Sequence, residues 1–197
     1  TKEKANELME EMQNNNLGYL AVPSLNDTAL AIPLAIQAGL GEYGRHGMVI
    51  TREFGPRVRF GKIFTNAPMA FDNQVEFGVT KFCEKCRKCT NACPPKAIPD
   101  GEPSPVKLNL SSISGVKKWS VDGEKCFSYW AKIVSDCMIC MRVCPYNKDF
   151  TKFRHKIGLR LASTKLRNIM LMLNDSLGYG ERLKPKLWWN GESRRKI

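Results

Sequence analysis

Eight cysteines stand in two runs, and each run ends in Cys-Pro. Cys83, Cys86, Cys89 and Cys93 are separated by two, two and three residues, and Pro94 follows. Cys126, Cys137, Cys140 and Cys144 repeat the last two intervals, with the leading cysteine moved upstream and Pro145 behind the last. Three thiolates two residues apart wrap a short loop around one iron–sulfur cube, each sulfur reaching a different iron. The fourth, held on the next turn before proline, points away and ligates the neighbouring cube in two-cluster proteins. Cys83, Cys86, Cys89 and Cys144 are therefore expected to hold one [4Fe-4S] cluster, and Cys126, Cys137, Cys140 and Cys93 the other. Cys126 has the loosest spacing of the eight. Chemistry of this kind moves single electrons.

Zinc and disulfides are the competing uses of cysteine. Structural zinc takes four ligands built from paired knuckles, which gives a third cysteine at the same spacing, and a fourth before proline, nothing to do. Eight cysteines in disulfides could pair in about 105 ways, with no reason for regular spacing. No cysteine remains for a catalytic thiol.

Other residues need elements to place them. Residues 2–16 read as an amphipathic helix with Leu8, Met9 and Met12 on one side. Tyr19–Pro23 reads as a short strand, and Ala29–Ala38 as a helix capped by Ser24–Asp27 and stopped by Gly39. Pro33 either kinks that helix or marks a late first turn. The stretch Gly39-Leu40-Gly41-Glu42-Tyr43-Gly44-Arg45-His46-Gly47 is dense enough in glycine for backbone to approach a flat or charged ligand, or to form a tight structural turn. It matches neither a dinucleotide fingerprint nor a phosphate loop. Residues 57–65 alternate like a strand, with Arg57 and Arg59 on one face, solvated or clamping an anion. The cysteine region runs over residues 77–150 with a Pro/Gly/Ser-rich insert at 99–115, and residues 153–174 read as one basic helix.

The 197-residue chain carries a net charge of +12. Thiolate-bound cubes are anionic and take up part of that charge, and much of the rest lies between Lys152 and Lys196. Aromatics do not interleave with it as a nucleic-acid stacking surface requires, so an acidic partner or membrane face suits it better. No secretory signal and no apolar run of membrane-spanning length is present. A first residue other than Met leads us to expect a fragment or processed form.

Several stretches together resemble the corrinoid-dependent reductive dehalogenases. They are residues 24–35, residues 38–45 (Ala-Gly-Leu-Gly-Glu-Tyr-Gly-Arg), residues 55–62 (Gly-Pro-Arg-Val-Arg-Phe-Gly-Lys), Phe77–Thr80, the first cysteine run, Gly115–Trp119 and Cys144–Lys148. The resemblance covers nearly the whole chain and points to the C-terminal half of such an enzyme. It implies an α+β fold: part of a nitroreductase-like cobalamin-binding domain over 1–76, a two-cluster ferredoxin-like domain over 77–150, and a basic helix and tail over 151–197. It also implies base-off cobalamin beside the clusters, held at the segment containing Gly39, Gly41, Gly44, Arg45 and His46, with no histidine on the cobalt. Asn26 matches the family's catalytic asparagine. Arg59 is the choice for its basic residue, with Arg57 next, and the acid tyrosine is expected upstream of Thr1. The implied reaction replaces halogen by hydrogen on an organohalide, at the outer face of the cytoplasmic membrane, with electrons from a membrane-anchored donor. An epoxyqueuosine reductase acting on tRNA, which shares cobalamin and paired clusters, is the second reading. A plain two-cluster carrier is the third.

Overall fold

A computed structural model describes residues 2–15, 18–22, 29–150 and 152–181. In chain order its elements are α1 (Lys2–Asn14), β1 (Tyr19–Val22), α2 (Ala31–Gln37), β2 (Glu42–Tyr43), β3 (Val49–Ile50), β4 (Lys62–Thr65), α3 (Val79–Lys85), α4 (Lys88–Ala92), α5 (Gly123–Ile133), α6 (Ile139–Arg142), α7 (Phe153–Ser163) and α8 (Arg167–Ser176). Helices and two small antiparallel ribbons coexist, as an α+β chain requires. The chain divides into two compact units, Thr1–Leu40 with Arg59–Val75, and Gly41–Val58 with Glu76–Ile197. Residues 41–47 of the glycine-rich segment fall in the same unit as the cysteine runs, while Gly39 and Leu40 fall in the first.

In the first unit β1 and β4 pair antiparallel from Tyr19↔Thr65 to Val22↔Lys62. The Thr65 hydroxyl donates to the Gly18 carbonyl at 2.6 Å, and the Gly18 N–H donates to Asn66 Oδ1 at 3.1 Å, which clasps the end of the ribbon. Pro33 falls in the first turn of α2, where the missing N–H breaks no helical bond. Gly39 ends the helix at φ +68°, and a Cβ there would stand 2.4 Å from the Asn73 carbonyl, so glycine is required. The capping residues expected at Ser24–Asp27 lie outside the described residues.

The strand expected over residues 57–65 forms only from Lys62 onward. Pro56 removes a donor just before it, and the Arg57 side chain reaches instead to the Lys148 carbonyl, with Nη2 donating at 2.7 Å. The shared strand face expected for Arg57 and Arg59 is therefore not formed.

The second unit packs around Val49, Ile50, Val79, Phe82, Trp119 and Tyr146, all nearly or fully buried. Tyr146, just past the second Cys-Pro, meets Phe82 edge-on at 5.1 Å between ring centroids and Phe77 at 6.4 Å. Such aromatic contacts contribute about 0.5–1.5 kcal/mol each beyond burial. The single C-terminal helix expected over 153–174 is two, α7 and α8. Between them the hydroxyls of Ser163 and Thr164 donate back to the Arg160 and Leu161 carbonyls, and Thr164 Oγ1 accepts from the Leu166 N–H. Those side-chain bonds offer the backbone an alternative to the helical ladder and break it there.

Candidate iron–sulfur centres and their cradle

All eight cysteines are free thiols. Cys83 lies in α3, Cys86 caps its C-terminus, Cys89 lies in α4 and Cys93 caps that helix. Cys126 lies in α5, Cys140 in α6, and Cys144 two residues beyond α6. The short helices α4 and α6 are the two three-residue spacers of the runs, and they pack against each other. That contact brings the end of each run to the other.

The thiols act on one another both within and between the two runs. Burial pushes the Cys144 thiol well up, and the charges of Cys83, Cys86 and Cys89 push it further. Burial likewise raises Cys140 to about 11, with Cys126, Cys137 and Cys93 adding to it. Cys126 is raised by burial and then by Cys93 and Cys137. Cys144 thus feels the first three cysteines of the other run, and Cys140 and Cys126 feel Cys93, as the crossed sets expected from spacing ask, while Cys89 also feels Cys140 across the two sets. Every member of the first set is buried, whereas only Cys93 of the second is.

The donor set suits anionic clusters. Burial lifts Cys83 and Cys89 to about 12, and backbone N–H groups of Arg45 and Thr90 respectively pull against that rise. The N–H groups of Lys88, Met141 and Tyr146 act the same way on Cys86, Cys140 and Cys144, and the Ala97 N–H donates to Cys93 Sγ at 3.3 Å. Amide dipoles aimed at sulfur stabilise the thiolate and tune a bound cluster. Metal loading must expel the protons that burial holds on these thiols. Among the described residues no three His, Cys, Asp or Glu side chains close on a point as ligands of a single ion would. A cube asks for wider spacing, because each thiolate binds a different iron.

The glycine-rich segment builds the frame around these loops. Glu42, buried on β2, accepts from the Phe77 and Val79 N–H groups at 2.7 and 3.0 Å, at the start of α3. A carboxylate there also meets the positive end of the helix that carries Cys83. The Tyr43 hydroxyl, pushed up to about 12 by burial, donates to the Trp119 carbonyl at 3.1 Å. Arg45, 1% exposed, donates from Nε to the Cys83 carbonyl at 3.0 Å and from Nη1 to the Pro99 and Gly101 carbonyls at 2.9 Å each. Its guanidinium stacks on Trp119, 4.7 Å from the ring centre. Space beside the glycines is filled by this chain itself: a Cβ on Gly41 would lie 2.3 Å from the Ile50 carbonyl, and one on Gly44 would lie 2.8 Å from Ile50 Cδ1. Sequence reasoning weighed the segment as ligand-binding or as a turn and missed this framing role. The signal available was Glu42 and Arg45, charged residues spaced to leave a hairpin on opposite errands.

His46 is buried, and burial holds its imidazole down at about 4, hence neutral. Its Nδ1 accepts from the Met48 N–H at 3.3 Å, while Nε2 has no partner among the described residues. Arg57 is exposed and tied to Lys148, Arg59 is exposed in the first unit, and Asn26 lies outside the described residues.

A family model described as a 4Fe-4S double cluster binding domain matches residues 82–147, the span that contains all eight cysteines. The tetrachloroethene reductive dehalogenase of Sulfurospirillum multivorans is 38% identical over 177 residues, 89% of this chain and 35% of that protein. That of Dehalobacter restrictus is 44% identical over 175 residues, 86% of this chain and 31% of the other. A solved reductive dehalogenase, studied for B12-dependent dehalogenation, superposes with a TM-score of 0.69 at 31% identity, covering 84% of this chain and 24% of that one. The epoxyqueuosine reductase of Lactococcus garvieae is 30% identical over a shorter stretch, 66% of this chain and 36% of that protein. The chain spans about a third of the length of the dehalogenases it matches. Likeness of this extent, carried through both cysteine runs and the frame around them, places the chain in the reductive dehalogenase family.

Proposed function

We propose that this chain is the cluster-bearing part of an enzyme that replaces halogen by hydrogen on a small organohalide, using cobalamin as its second cofactor. Two cysteine runs matched by a double-cluster family model, in a chain 38% identical to a tetrachloroethene dehalogenase, carry the reading. Removal of one halide as its anion, with one proton added at carbon, takes two electrons. The clusters supply them one at a time. Base-off cobalamin, when bound, supplies a low-valent metal at which the carbon–halogen bond is reduced.

The first unit contributes the substrate side, as part of a nitroreductase-like cobalamin domain. Arg59 is an exposed guanidinium able to hold a departing anion or a proton donor in its charged form, whereas Arg57 is engaged at Lys148. Asn26 is assigned the role of substrate-positioning amide. His46 Nε2, a buried side-chain atom without a partner among the described residues, is assigned to an amide of the corrinoid rim. Gly39, Gly41, Gly44 and Arg45 then act on that cofactor through the shape of the segment. An acidic, membrane-anchored electron donor at the outer face of the cytoplasmic membrane would match the net charge of +12.

Anaerobic purification of the complete protein tests the reading. Corrin absorbance, about eight irons per chain from two cubes of four, and chloride release from tetrachloroethene with a low-potential artificial donor are expected. Conversion of epoxyqueuosine in tRNA without chloride release would transfer the assignment to the second reading. Clusters without corrin would leave an electron carrier.

A further inference from the structure

The buried Cys144 sulfur acts on the ammonium group of Lys148, which pairs with no carboxylate among the described residues. Lys148 follows Cys144 by one helical turn's worth of chain, and its N–H donates to the Tyr146 carbonyl at 2.9 Å. Arg57 grips the Lys148 carbonyl from the other side. The side chain lies half-buried with Nζ 4.1 Å from the centre of the Tyr179 ring. Tyr179 is itself fixed. It packs edge-on against His155 at 5.9 Å between centroids, its hydroxyl lies 3.3 Å from His155 Nε2, and His155 Nδ1 lies 2.7 Å from the Asp149 carbonyl. His155 Nδ1 therefore donates, and Nε2 accepts from the tyrosine.

Among the described residues no Asp or Glu pairs with Lys148. Lys88, the nearby cation, is taken by Asp175 of α8. Burial, with the charge of Lys88 acting the same way, brings the Lys148 ammonium down to about 8, and the charge of Cys144 opposes both. A desolvated cation held on an aromatic ring within the field of the buried Cys144 sulfur is built to meet negative charge there. Among the described residues the second tetrad has no such counterpart: Lys125, beside Cys126 in sequence, points to Asp122 at 3.3 Å.

We infer that Lys148, seated on Tyr179, is a positioning charge that raises the reduction potential of the cluster on Cys83, Cys86, Cys89 and Cys144 above that of its neighbour. Adding an electron makes a cluster more negative, so a nearby cation favours the reduced form. Arg45 and Lys88 act on the same tetrad, and Lys148 adds its charge to theirs, so that an electron arriving at the more open tetrad runs downhill to the buried one. The inference rests on the two-cluster reading of the cysteines.

Potentiometric titration of the complete holoprotein, followed by electron paramagnetic resonance, tests it in Lys148→Met, Lys148→Arg and Tyr179→Leu. In the Met variant one of two midpoints is expected to fall, by about tenfold in its equilibrium constant or about 59 mV for one electron, while the other stays. Lys148→Arg keeps the wild-type midpoints. Tyr179→Leu, which leaves the charge but removes its seat, lowers the same midpoint by less. Unchanged midpoints in both Lys148→Met and Tyr179→Leu, or an equal fall of both midpoints, would overturn the assignment. An iron count well below about eight in the unaltered protein would instead defeat the two-cluster reading beneath it.

Discussion

Replacing Arg45 by Met should loosen both the glycine-rich frame and the first cluster loop. Naive addition of three charge-assisted hydrogen bonds, at about 1.5–3 kcal/mol each, overstates the loss. The Pro99 carbonyl keeps a second donor in the Thr90 hydroxyl at 3.2 Å, and the Gly101 carbonyl keeps the Trp119 indole N–H at 3.0 Å. Only the Cys83 carbonyl loses its one side-chain donor, at about 1–3 kcal/mol. Loss of the cation over Trp119 adds about 1–2 kcal/mol in so dry a site. About 3 kcal/mol is the expected sum, a factor of about a hundred in the population of the opened loop. Because Cys83 is a ligand, opening exposes the cluster, and the rate of bleaching under an iron chelator should rise by about that factor. Arg45→Lys should recover only part, since one ammonium cannot fork to three carbonyls. Wild-type bleaching in Arg45→Met would refute the reasoning. Normal bleaching with loss of corrin binding would make Arg45 a cofactor contact instead.

Cys93→Ser should remove the cluster of the second run and leave about four irons, whereas Cys144→Ser should remove that of the first, as elemental analysis and resonance spectra will show. Gly55→Ala should destabilise by about 3 kcal/mol or more, because Gly55 has φ +60° and a Cβ there would lie 1.9 Å from the Tyr146 carbonyl; denaturant midpoints decide it. His46 is held at about 4, below the ordinary 6.5. A depressed histidine stays neutral in the fold while the unfolded chain takes up a proton, so stability is full above about pH 6.5 and declines toward pH 4, by about 3 kcal/mol in all. Denaturation at pH 7 and pH 5 should differ by about 2 kcal/mol, and His46→Gln should flatten that difference.

The cysteine chemistry was legible because cluster ligation imposes fixed intervals on the chain, and the crossing of Cys93 with Cys144 follows from the same intervals. Helix α2 was legible from its glycine stop, with Pro33 resolved into its first turn. What Arg45 and Glu42 do was not, since their partners, Cys83 at one side and the Phe77 and Val79 amides at the other, are remote in sequence and are backbone atoms without a side-chain signature. The break between α7 and α8 was hidden for a different reason: the apolar stripe continues across Ser163 and Thr164, and only local hydroxyl bonds interrupt the helix. Residues 57–60 alternate like a strand, yet Arg57 is drawn to Lys148, a pull that periodicity cannot register.

The packing of α4 on α6 has a consequence for how such a molecule can be made and can vary. Each short helix delivers three residues of spacing between its own cube and its neighbour's, so neither loop is complete until both have closed. The same geometry frees the long stretch between Cys93 and Cys126. The hopping distance is fixed by two helical turns held face to face, so insertions between the runs can lengthen the surface without lengthening the wire.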